Sequence, residues 1–237
     1  MASVVTHLAD LRASTAGMVS GFDAEQWTDD DMRAPSLLPD WTRGHVLTHI
    51  SRNADGITRC LAGALRGEMV PRYDSWDARC AAIEQGAVRS AAELIADVRD
   101  SADRLDVVLS GVAEADGWDL PTPDHPARHW VEARWREVEV HRVDAAGSYA
   151  AADWAPPFIG YLLPELAGAV GGRTDAGLHI EVTESKDPEL VGRSWDAGSG
   201  DLIDVRGPDW ALLAWLIGRP LPETAVLSAT PLLGRWM

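Results

Sequence analysis

Apolar residues recur at helical spacing through most of the first 150 positions. Val4, Leu8, Leu11, Met18 and Phe22 stand three, four or seven residues apart, which predicts an amphipathic helix over 2–22. The run DAEQWTDDDMRAPSLLPDW, rich in Asp and Pro, predicts a loop. A second helix starts near Thr42, an N-cap after Pro39 and Asp40, and carries the stripe Val46, Ile50, Ala54, Ile57, Leu61, Leu65. Residues 76–110 predict a helical stretch broken near Gly86, with Leu94, Val98, Leu105 and Val108 on one face of its second part. EADGWDLPTPDHPA predicts another loop, and a fourth long helix covers about 127–146. Four long helices joined by loops predict a bundle over residues 1–150.

The texture changes after AADWAPP. A helix is expected over 157–171, and then GLHIEVTE alternates Leu178, Ile180 and Val182 with polar neighbours, a strand pattern. LVGRSWDAG and DLIDVRG predict two more short strands joined at Gly198–Gly200, and PDWALLAWLIG a helix with Pro208 near its first turn. The predicted class is α+β: a four-helix bundle over 1–150 followed by a small α/β domain over 155–237.

Composition narrows the function. The formal net charge of -16, from 37 acidic and 21 basic residues, repels phosphate backbones and anionic lipid surfaces, so neither nucleic acid nor membrane is an expected partner. No apolar stretch approaches the roughly 20 residues of a membrane span, and MASVVTHLADLRAST lacks the charge and apolar run of a signal peptide. Cys60 and Cys80 have no CxxC spacing and fit two buried thiols of a reduced compartment. A cytoplasmic protein is therefore expected. Lys186 is the only lysine. Any arginine that reaches a pocket is a candidate carboxylate anchor, because its planar fork matches a carboxylate.

The fourth helix carries the candidate chemistry. Glu137 and His141, four residues apart, lie about 40° apart around a helix, with Arg134 on the same face and Val131, Trp135 and Val138 beside them. On the second helix His49 borders the stripe at Val46 and Ile50, and His45 lies one turn earlier. A buried glutamate without a partner costs several kcal/mol. A divalent cation removes that cost and uses the imidazole lone pairs. Two His and one Glu would leave a vacant position on a four-coordinate Zn²⁺, as catalytic sites do. Simpler arrangements use the same residues: Glu137 solvated or paired with Arg134, and His45 or His49 as a hydrogen-bonded core histidine. His45 is also a candidate fourth ligand.

LPDWTRGHVLTHISRNADGI resembles the second helix of DinB-like proteins, where a Trp opens the helix and a metal-binding His follows about two turns later. REVEVHRVDAAG resembles the last bundle helix of one branch, the mycothiol-dependent maleylpyruvate isomerases, whose small C-terminal α/β domain ends in a WLxGR helix like AWLIGRP here. The resemblance spans nearly the whole chain. It implies zinc held by His49, Glu137 and His141. DARCAAIEQGAVRS resembles the Arg-bearing start of the family's third helix and implies a role for Arg79; the chain's ending implies one for Arg219. For each arginine the alternative is a surface or structural role.

The implied activity is cis–trans isomerisation of maleylpyruvate to fumarylpyruvate by reversible addition of mycothiol, a step of aromatic-compound catabolism. The implied partners are a small dicarboxylate and a low-molecular-weight thiol. Two other readings share the same scaffold: a mycothiol-dependent S-transferase acting on another electrophile, and a metal-binding regulatory protein without turnover. Nothing in the sequence sets the oligomeric state, and a monomer is the default expectation.

Overall fold

The computed structural model describes residues 3–223 and 225–236. The chain divides into two compact units, Met1–Tyr149 and Ala150–Met237.

The first unit is helical: α1 (Val4–Glu25), α2 (Asp29–Arg33), α3 (Arg43–Leu65), α4 (Trp76–Gly86), α5 (Ala91–Glu114) and α6 (His129–Asp144). Polar caps fix the starts of these helices. Thr42 accepts from the His45 amide at the head of α3, and Ser90 and Glu93 form a capping box at the head of α5. The same device makes α2, where Thr28 and Asp31 cap each other inside the stretch expected to be loop. The long helices α1, α3, α5 and α6 bury one continuous core, including Met18, Leu47, Ile50, Leu61, Leu94 and Trp135. On α5 the buried positions include Leu94, Val98, Leu105, Leu109 and Val112. Val108, assigned to that face from sequence, lies on its flank, because the stripe steps from Leu105 to Leu109.

Two glycines bring α4 against the head of α3. A Cβ on Gly44 would stand 2.3 Å from the Ala87 carbonyl oxygen, and one on Gly86 would stand 2.4 Å from Thr48 Cγ2. Only glycine permits this approach. The break near Gly86 is therefore a packing point as well as a helix end.

The second unit holds α7 (Pro156–Ala169), α8 (Asp209–Leu216) and three strands, β1 (Gly177–Glu184), β2 (Ser194–Ala197) and β3 (Leu202–Pro208). The sheet order is β2-β1-β3. β1 runs antiparallel to β2, with Ile180 opposite Trp195, and parallel to β3, with Ile180 opposite Val205. The two later strands thus flank the first instead of pairing with each other. Gly198 and Gly200, at φ 81 and 93, take the chain across the end of β1, and a Cβ on Gly198 would stand 2.2 Å from the Ala176 carbonyl oxygen. Leu178, Ile180, Val182 and Val205 are buried with Phe158, Leu162, Leu212 and Leu216 of the two helices. No helix among the described residues is long and apolar enough to cross a membrane.

Candidate metal centre

His49, on the second turn of α3, and Glu137 and His141, one turn apart on α6, converge inside the first unit. His49 Nε2 lies 2.9 Å from Glu137 Oε2 and 3.1 Å from His141 Nε2, and His141 Nε2 lies 3.2 Å from the same carboxylate oxygen. The side chains are 7%, 24% and 15% exposed for His49, Glu137 and His141, so the cluster sits at the edge of the core with one side reachable. Among the described residues no other three His, Cys, Asp or Glu side chains bring ligand atoms within 4.8 Å of one another.

The donor set suits a divalent cation. Ligand atoms at about 2.0–2.2 Å from a tetrahedral zinc stand about 3.3 Å apart. The observed triangle of 2.9, 3.1 and 3.2 Å is close to one face of such a tetrahedron. One anionic oxygen and two imidazole nitrogens would supply three ligands and leave a fourth for an exchangeable group.

Without an ion, protons hold the cluster together. Burial pushes the Glu137 carboxyl up, but the bonds from His141 and His49 outweigh it and hold the group well below the ordinary carboxylate range. Burial also works against a charged His141. The Asp144 and Glu137 carboxylates on either side of its ring overcome that and raise it to about 9. His49 shifts the other way, lowered by burial against the pull of Glu137, with the charges of His141 and Arg79 adding to the lowering.

Several neighbours orient the triad. Asp144, fully buried, lies 2.8 Å from His141 Nδ1. A carboxylate on the second ring nitrogen directs the other nitrogen, Nε2, toward a metal. The Trp41 ring meets His49 edge-on at 5.4 Å. Arg79 on α4 donates from Nη2 to His49 Nδ1 at 3.0 Å, and its guanidinium lies over Trp76 at 4.7 Å. Coordination through His49 Nε2 needs the proton on Nδ1, where Arg79 then finds no acceptor. The Arg79–His49 bond and an ion on Nε2 therefore exclude each other, and ion binding releases a cationic fork beside the site.

Of the other residues singled out from sequence, His45 stands outside the triad. Its Nδ1 closes the α3 capping box with Thr42, and its Nε2 lies 3.3 Å from Glu84. Arg134 does not pair with Glu137. It is 1% exposed and donates from Nη1 to the Ile50 carbonyl and to Asn53 Oδ1, both at 2.9 Å. Arg219 belongs to the second unit, where it follows α8 and donates from Nη1 to the Ile217 carbonyl. Cys60 is buried and bonded to the Ile57 carbonyl, and burial pushes its thiol up to about 11, where it stays protonated and unreactive. Sequence reasoning missed Asp144. Its signal was the spacing of three residues that puts it one helical turn beyond His141.

The fold recurs among solved structures. A crystal structure of the mycothiol-dependent maleylpyruvate isomerase superposes with a TM-score of 0.83 at 24% identity, covering 99% of this chain and 98% of that one. A histidine-to-alanine mutant of that isomerase superposes equally well, with a TM-score of 0.83 at 23% identity. At these identities the likeness establishes the shared fold. No curated protein matches the chain in sequence. The family model for the mycothiol maleylpyruvate isomerase N-terminal domain matches residues 8–146, more than half of the chain and including all three candidate ligands. The chain therefore belongs to the mycothiol-dependent maleylpyruvate isomerase family, a family of enzymes.

Proposed function

We propose that the protein isomerises maleylpyruvate to fumarylpyruvate in the cytoplasm with zinc and mycothiol, and that its first unit is a DinB-like bundle built to hold the metal. The observation that carries this reading is the convergence of His49, Glu137 and His141 within 4.8 Å, in a chain of this family. When bound, the ion makes a coordinated thiol a thiolate at neutral pH, and reversible addition of that thiol to the cis double bond allows rotation about it.

The chain's own residues supply position and charge. Glu137 places one negative charge against the ion, and His49 and His141 add neutral donors, so the site keeps a net positive charge that attracts a thiolate and a dicarboxylate. Asp144 holds His141 in the tautomer that leaves Nε2 available. Arg79, released from His49, offers two parallel N–H groups to a substrate carboxylate or to the enolate oxygen that develops beside it. Arg219, at the family's WLxGR ending, is the second arginine proposed to take part in the reaction.

The test is a reaction of purified protein with maleylpyruvate, with and without mycothiol, after zinc loading. Fumarylpyruvate formed only with the thiol supports the proposal. Thiol consumed into a stable adduct with no trans product would assign an S-transferase instead, and no change in either compound would leave a metal-binding protein without this activity.

A further inference from the structure

Between α1 and α5, with one residue contributed by α6, the first unit holds a cleft of about 500 Å³ whose lining includes no member of the triad. Bundle interiors are close-packed, and voids larger than a water are few. An opening of this size is in the range of a small-ligand site. Its walls are apolar, from Leu11, Val19, Ala102, Leu105 and Leu109. Its mouth is open, since Ala16, Ser20 and Asp23 on its edge are exposed.

Two ion pairs cross from one helix to the other at the edge. Arg12 meets Asp106 at 2.6 Å, and Arg99 meets Asp23 at 2.6 Å. All four side chains are about half exposed, so these pairs are weak and let the edge adjust.

Arg134 also lines the cleft, reaching it from α6. It is 1% exposed. Its Nη1 is bonded to α3, but its buried Nη2 has no hydrogen-bond partner. A buried guanidinium N–H without an acceptor is unfavourable, and an acceptor brought by a ligand removes that penalty.

We propose that this cleft is a second ligand site, separate from the metal centre, for a small carboxylate with an apolar body. The body lies along the leucines, and the carboxylate points inward to Arg134. The charges fix this orientation. Asp23, Asp103 and Asp106 line the outer part, where only Arg12 and Arg99 oppose them, so an anionic head is repelled there and attracted at the base. A cationic amphiphile would meet the opposite field, its head held at the edge and excluded from the base. This inference does not depend on the reaction proposed above, whose substrate has no apolar body to place.

The experiment titrates the full-length zinc-loaded protein with octanoate, octanol and octylamine by calorimetry, beside two variants. Ala16→Trp fills the mouth from an exposed helical position and leaves Arg134 in place. Arg134→Met removes the proposed partner of the head group. The expected result is saturable binding of one octanoate per chain, at least about tenfold tighter than octylamine, and weakened about tenfold or more by Ala16→Trp. In Arg134→Met, octanoate should lose its advantage over octanol. Octanoate that fails to saturate, binds Ala16→Trp as well as the parent, or is matched by octylamine would overturn the proposal. If Arg134→Met does not fold, the mouth variant and the comparison of head groups still decide it.

Discussion

His141 Nδ1 stands 2.8 Å from the carboxylate of Asp144, a residue with no exposed side-chain surface. The bond sets the ring so that Nε2 turns to Glu137 and His49. Asp144→Ala should therefore weaken zinc binding by about 10–100-fold while the helical signal in circular dichroism persists. Competition with a chelator of known affinity measures it, and unchanged affinity would remove Asp144 from the site.

Arg79 and a metal ion compete for the same imidazole. Arg79→Met removes a charge-assisted hydrogen bond that the ion must break, a bond worth about 1.5–3 kcal/mol. The variant should bind zinc about tenfold or more tightly while isomerisation falls by at least about 100-fold, because the fork that receives the substrate is gone. Weaker zinc binding in this variant would show that Arg79 supports the ion-bound arrangement instead.

The protonated His141 gives the site a defined pH dependence. Its pKa is raised from 6.5 to about 9 in the ion-free protein. This group therefore stabilises the ion-free fold fully below about pH 6.5, and the contribution fades as pH rises through about 9. Glu137, with its pKa lowered, contributes above its unfolded value of about 4.3, and that contribution is lost as pH falls through its lowered folded value. Zinc must displace the His141 proton, so zinc affinity should climb with pH from about 7 to about 9, by close to tenfold per unit, and then level off. Affinity that stays flat across that range would mean that His141 is already neutral.

Gly44 and Gly86 set how closely α4 approaches α3. Gly44→Ala puts a methyl group where the Ala87 carbonyl stands, with 2.3 Å between them. Overpacking of this kind costs about 1–3 kcal/mol, so the thermal midpoint should drop by several degrees. Arg79 should also withdraw from His49. A midpoint equal to the parent's would show that the two helices separate easily.

The long helices were legible because their stripes are regular and their caps are strong, as at Thr42 and Ser90. Glu137 and His141 were legible because one turn of helix puts both on one face. The short helix α2 was hidden in an acidic stretch, although Thr28 and Asp31 have capping spacing. The order of the strands was not legible, since it depends on where the turn at Gly198 and Gly200 sends the chain. The partner of Arg79 was also out of reach. It follows from a contact between two helices that two glycines allow, and no periodicity on either helix encodes it. Arg134 was seen to share the face of Glu137, but its burial and its bonds to α3 depend on the packed bundle.

Two imidazoles and one carboxylate on α3 and α6 are proposed to hold a single divalent ion. The most direct test is elemental analysis of protein purified without chelator, with parent, His49→Ala and Glu137→Gln compared after identical dialysis. One zinc per parent chain and almost none in either variant is expected, with all three proteins folded. Equal metal in parent and variants, or a zinc-loaded parent whose metal survives loss of both His49 and Glu137, would contradict it.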